Sequence, residues 1–161
     1  MNFEVLTEGE SDVPVVREVL SRRFGLQEGG DFRIHPHRGK GRLPDNVMAR
    51  PDPKNRTLLH QLPAKLRGYA HLGSAYCVLV LVDAVKAAYP RADRRKLGRV
   101  TPDAVVGAWE KLADALGSRR AQHSGADKTE WARNIAPHLN LNQPRSPSLA
   151  ALVSGVSKVI S

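Results

Sequence analysis

The sequence predicts an α/β fold, with a central, mostly parallel sheet and helices on both faces, in a single domain over residues 1–161. Three observations carry this reading. Short β-branched runs alternate with segments of helical periodicity, the pattern of successive βαβ units. The run Tyr76–Val82, YCVLVLV, is continuously apolar, which marks a central strand covered on both faces. A chain of 161 residues with 41% hydrophobic and 25% charged side chains suits one globular core. Aromatics are only 5%, so that core must rest on Leu, Val, Ile and Ala.

The elements follow in order. Asn2–Thr7 reads as a strand, with Phe3, Val5 and Thr7 alternating against Glu4 and Leu6. Glu8-Gly9-Glu10-Ser11 turns the chain, and Ser11 or Asp12 caps a helix whose Val13, Val16, Leu20 and Phe24 share a face before Gly25 stops it. Phe32–Pro36 is a second strand. The polar stretch 44–56, with Pro51 and Pro53, is expected to be irregular and mobile. A helix over 57–70 carries Leu58, Leu59, Leu62, Leu66 and Tyr69, and Pro63 inside it is expected to kink or restart it. After the apolar strand come a helix over 102–116, another over 127–138 with Trp131 and Ile135 inward, and a last one after Pro147.

Composition excludes several classes. No run of about 18 apolar residues exists, so a membrane-spanning helix is not expected. The opening MNFEVLTEGE has no basic-then-apolar leader, and the single Cys77 rules out an internal disulfide, so a cytoplasmic protein is expected. Lys and Arg number 25 against 16 acids, a net charge of +9. That balance favours a polyanionic partner, nucleic acid above all, through phosphate contacts and counterion release.

Ligands of open parallel sheets sit at the carboxyl ends of the strands. Here the first strand runs into Glu8 and Asp12, and the apolar strand runs into Asp83. If the two strands are parallel neighbours, the three acids converge at one edge, where a hard divalent cation such as Mg²⁺ would neutralise them. The bland alternative for Glu8 and Asp12 is helix capping. Two basic clusters flank the same edge: Arg38, Lys40 and Arg42 in the HRGKG loop, and Arg91, Arg94, Arg95 and Lys96 after Asp83. Both are expected to meet phosphates, and the loop glycines to present N–H groups to one. His35 and His37 lack a third ligand at metal spacing and read as loop polar groups.

The stretch TEGESD after a strand, with LVLVD ending a later one, resembles a TOPRIM domain, the Glu-then-Asp metal site of topoisomerases, primases and the overcoming-lysogenization-defect nucleases. It also resembles small bacterial TOPRIM-like proteins often encoded beside ATPases, a resemblance that implies a setting in antiphage defence. Gly39-Lys40-Gly41-Arg42-Leu43, Lys128 and Ser146-Pro147-Ser148 resemble further parts of that pattern, so the likeness spans nearly the whole chain. It implies a TOPRIM-like three-layer sandwich. It also implies a divalent-metal-dependent nuclease using Mg²⁺ or Mn²⁺, with Glu8 as acid or base near the metal and Asp12 and Asp83 as ligands.

Two departures bear on catalysis. The pattern's Asp-x-Asp reads Asp83-Ala84-Val85 here, and a valine cannot bind a cation. A Glu-Ala-Trp triplet reads Gly107-Ala108-Trp109, leaving Glu110 on another helix face and Asp93 distant. Cleavage with two cations about 4 Å apart needs more carboxylates than these three. The sequence therefore carries two expectations: a sluggish or one-metal nuclease, or a degenerate TOPRIM module that binds nucleic acid or a partner protein without cutting.

Overall fold

A computed structural model describes residues 1–81, 124–144 and 146–161. The chain forms two compact units, Met1–Val82 and Asp83–Ser161. The helix expected over 102–116, the acid Asp83 and the cluster Arg91, Arg94, Arg95 and Lys96 lie outside the described residues.

The first unit holds an α/β arrangement around a three-stranded, all-parallel open sheet. Strand β1 is Asn2–Thr7, β2 is Phe32–Pro36 and β3 is Tyr76–Leu81, in the order β2-β1-β3. Parallel neighbours need crossovers, and helices supply them. Helix α1, Val13–Glu18, links β1 to β2, while α2, Leu58–Tyr69, carries the chain from β2 across β1 to β3. Right-handed crossovers in these two directions put α1 and α2 on opposite faces. The result is helix, sheet, helix, as the sequence predicted.

Among the described residues β1, not β3, is the middle strand. Phe3, Glu4, Val5, Leu6 and Thr7 are all buried, whereas β3 is half-buried and its Val80 is 39% exposed. Among the described residues β3 flanks β1 on one side only. The correction has a physical cause. An acid at position 4 reads from sequence as a solvent-facing residue, but here it is covered because partners on β2 and α2 answer its charge.

The α1 segment is shorter than its periodicity implied. The chain enters through a 3₁₀ turn, Glu10–Asp12, and leaves α1 through a wider π-type turn, Val19–Arg23. The wide turn brings Val19 inward beside Val16 and Leu20, all three fully buried. Each such side chain contributes about 1.5–3 kcal/mol by leaving water. Gly25, at φ +70, then turns the chain, a conformation that costs a residue with a Cβ. Pro63 does not interrupt α2, which runs unbroken past it.

In the second unit α3 spans Gly125–Ile135 and α4 spans Pro147–Ile160. Ser124 and Asp127 cap α3 reciprocally, and Ser146 caps α4 through the Leu149 N–H. The buried side of α3 is Ala132, continuing to Ala136. Ile135, expected inward, is 42% exposed, and Trp131 is half-buried. No helix among the described residues is long and apolar enough to cross a membrane.

Candidate functional site

The sheet register brings the strand ends to one edge. Thr7 of β1 stands opposite Pro36 of β2 and opposite Leu81 of β3, all parallel. The segments leaving this carboxyl edge are Glu8–Asp12 and the HRGKG loop, His37–Gly41. The parallel adjacency of β1 and β3 that the sequence argument required is present. Asp83, two residues past the end of β3, is not among the described residues.

The acidic turn is internally bonded. The Thr7 hydroxyl donates to the Gly9 carbonyl at 3.1 Å, and the Gly9 N–H donates to the Asp12 carboxylate at 2.9 Å. Asp12 thus closes its own turn, the capping role its position allowed. Glu8 and Asp12 are both half-buried, and the Glu8 carbonyl accepts the Gly39 N–H at 2.8 Å. That bond ties the basic loop directly to the acidic turn.

The loop is shaped by two glycines with positive φ, Gly39 at +88 and Gly41 at +63. A Cβ on Gly41 would stand 2.1 Å from the Thr57 hydroxyl, so only glycine allows this approach to the start of α2. The carbonyls of Gly39 and Lys40 accept the Leu58 and Leu59 N–H groups at 2.9 and 2.8 Å. The first turn of α2 is therefore capped by the loop. Of the N–H groups expected to cradle a phosphate, those of Arg38 and Gly39 are spent on the Arg56 and Glu8 carbonyls. The side chains of Arg38 and Arg42 are exposed and that of Lys40 is half-buried.

The stretch 44–56 is irregular, as expected, but α2 side chains strap it down. Gln61 donates to the carbonyls of Asp52 and Asn55, His60 accepts the Asp52 N–H, and Arg67 donates to the Val47 and Ala49 carbonyls.

Sequence reasoning missed a cluster around one buried carboxylate on the α2 face of the sheet. Glu4 is only 5% exposed. Its carboxylate accepts from His35 Nε2 at 2.5 Å, and Arg33 Nη1 lies 3.6 Å away. Tyr69 of α2 adds its hydroxyl; burial first, then the charge of Glu4 and the hydrogen bond to it, push the Tyr69 hydroxyl up. The signal was the alternation Arg33, His35 on the strand that pairs with Glu4, legible only once the register is known.

His37 extends that row to the edge. Its Nδ1 lies 3.0 Å from the Thr7 carbonyl, which also accepts its backbone N–H at 3.1 Å. A carbonyl only accepts, so Nδ1 carries the proton. Burial first, and the Lys65 and His35 charges as lesser effects, hold His37 below its ordinary value; its hydrogen bonds to the backbone of Thr7 and His35 oppose them.

Among the described residues no three His, Cys, Asp or Glu side chains converge to hold a metal ion. Glu8 and Asp12 share one turn, and the third acid expected with them is Asp83. No family model, no curated protein and no solved structure matches the chain.

Proposed function

We propose that the carboxyl edge of the sheet binds a nucleic-acid strand and hydrolyses its phosphodiester bonds in a divalent-metal-dependent, TOPRIM-type reaction. The observation that supports this best is the bond between Gly39 and the Glu8 carbonyl, which fastens a basic loop beside an acidic turn at the edge where parallel sheets hold ligands. Acids alone would repel a phosphate, and bases alone would bind it without activating water. The edge carries both.

Glu8, Asp12 and Asp83 would hold Mg²⁺ or Mn²⁺; their donors are all oxygen, as such hard cations require. The bound ion supplies Lewis-acid polarisation of the phosphoryl oxygens. Glu8 orients the attacking water and takes its proton. Water attacks phosphorus, the bond to the leaving sugar oxygen breaks, and that oxygen takes up a proton. Arg38, Lys40 and Arg42, with Arg91, Arg94, Arg95 and Lys96, neutralise the flanking phosphates. The single Cys77 supports a cytoplasmic setting, and the family resemblance supports a role in antiphage defence with an ATPase partner.

A second reading has its own support. Asp12 is engaged by Gly9, and the sequence places Val85 where a second aspartate would complete the motif. Under it the domain binds nucleic acid without cutting. Cleavage of labelled single- and double-stranded oligonucleotides with Mg²⁺ or Mn²⁺ decides. The nuclease reading expects slow, metal-dependent product that Glu8→Gln and Asp83→Asn each lower at least a hundredfold. Salt-dependent binding with no product, and no heat of Mn²⁺ binding in calorimetry, selects the non-cleaving module.

A further inference from the structure

We propose that Arg50, Lys54 and Arg56, in the strap 44–56, form a second row of phosphate contacts that carries a polyphosphate backbone away from the carboxyl edge along α2; that this backbone is a nucleic-acid strand rests on the function proposed above. The strap makes a polymer, not a single nucleotide, the ligand of the edge.

Hydrogen bonds fix the placement. The Arg38 N–H donates to the Arg56 carbonyl at 3.0 Å, so the last residue of the strap lies against the basic loop. Gln61 donates to the Asn55 and Asp52 carbonyls at 2.5 and 3.1 Å, and His60 Nε2 accepts the Asp52 N–H at 3.1 Å. Further along α2, Arg67 donates to the Val47 carbonyl and, at 3.2 Å, to that of Ala49. α2 starts at the carboxyl edge, where Gly39 and Lys40 cap it, so the strap lies along the helix and runs back toward that edge. Arg50 sits at the far anchor, and Lys54 and Arg56 at the near one. From Gln61 to Arg67 the helix rises about 9 Å. A stacked strand rises about 3.4 Å per nucleotide, so the row spans about three nucleotides beyond the edge.

Charge and rigidity give the ligand class. Residues 38–56 hold Arg38, Lys40, Arg42, Arg50, Lys54 and Arg56 against Asp45 and Asp52, a net +4 of the chain's +9. The side chains of Arg50, Lys54 and Arg56 are exposed. The Asp52 carboxylate accepts the Lys54 N–H at 2.9 Å and closes a local turn. Glu8 and Asp12 stand at the edge end of the row, where the metal is proposed. Bases that served only solubility would need no fixed backbone. Ordering an irregular stretch costs about 1–2 kcal/mol per residue in backbone entropy. Pro51 and Pro53 lower that cost, and three α2 side chains commit their polar groups to the strap backbone. Cations held in a row on a fixed backbone match the regular spacing of phosphates.

The test measures binding of a single strand of about twelve nucleotides to the full-length protein across a range of salt concentrations. Replacing Arg50, Lys54 and Arg56 together by Gln is expected to weaken binding about tenfold and to lower the salt slope by about two, with the melting temperature retained. Replacing Arg22, Arg23 and Arg133 by Gln removes equal charge from exposed positions outside the strap and is expected to change affinity less than about twofold. Equal losses in the two variants would reduce the effect to net charge and overturn the row. An oligonucleotide bound with unchanged affinity and slope in the strap variant overturns the row and leaves the nucleic-acid reading standing. If inorganic polyphosphate binds and the strap variant weakens it while no oligonucleotide binds, the row stands and the nucleic-acid reading falls. Binding to neither, or only to phosphatidylserine vesicles, overturns both.

Discussion

Two charged regions lie in the first unit, one around Glu4 inside the sheet and one at the sheet's carboxyl edge. Around Glu4 a buried carboxylate meets His35 at 2.5 Å, Arg33 at 3.6 Å and the Tyr69 hydroxyl. At the carboxyl edge, the acidic turn of Glu8 and Asp12 meets the basic loop through the Gly39 N–H, which donates to the Glu8 carbonyl at 2.8 Å. The first region has the composition of a structural centre, because a buried charge is tolerated only when it is paired and hydrogen-bonded. The second sets acids and bases side by side at a ligand-binding edge, where their side chains are half-buried or exposed. The difference teaches where to look for function: in the charges the fold leaves at an open edge.

Breaking the first region should cost the most. His35→Ala leaves the buried Glu4 with only the Tyr69 hydroxyl and one distant guanidinium, so a loss of about 3 kcal/mol is expected in denaturant unfolding. Adding Glu4→Gln to that variant should recover part of the loss, because the buried charge goes with its partner. Additive losses would mean that the two side chains do not act as a pair.

Gly41→Ala should come next, at about 2 kcal/mol, because its Cβ would collide with Thr57 in a backbone region alanine avoids. The same variant should weaken oligonucleotide binding, since the basic loop must move. Unchanged stability with unchanged binding would show that the loop's close approach to α2 is dispensable.

A smaller effect separates the edge from the centre by pH. His37 titrates below its ordinary value of 6.5 in the folded protein, so the unfolded chain takes up that proton first. Stability should therefore fall as pH drops below about 6.5, and the fall should be shallower in His37→Asn. An identical pH profile in the variant would remove His37 from the balance. The smallest effect is expected at the exposed Arg17–Glu28 pair, where a 2.6 Å contact at the surface should be worth less than about 1 kcal/mol on Arg17→Ala.

Much of the fold was legible in the sequence. β2 was read at its observed bounds, and α2 to within a residue at each end, because apolar spacing and turn residues are local signals. The parallel placement of the first and third strands followed from the alternation of strands and helices. The central position of β1 was not legible, because Glu4 looks like an outward residue until Arg33, His35 and Tyr69 are seen around it. Distances of about thirty and sixty positions along the chain separate those partners, and no local pattern links them. His35 and His37 read as loop polar groups for the same reason. Ile135 was misplaced because a helix turned by one position buries Ala132 and Ala136 instead. Of the candidate site, Glu8, Asp12, Arg38, Lys40 and Arg42 fall at the edge the sequence indicated.

The central claim is that the carboxyl edge of the sheet is the working surface. Its most direct test is the backbone amide spectrum of the full-length protein, with and without a short single-stranded oligonucleotide in the presence of Mg²⁺. The account predicts perturbations concentrated at Glu8, Gly9 and His37 to Arg42. Perturbations confined to the opposite edge, at Asn2, Asp31 and Ala75, or to α3 and α4, would contradict it.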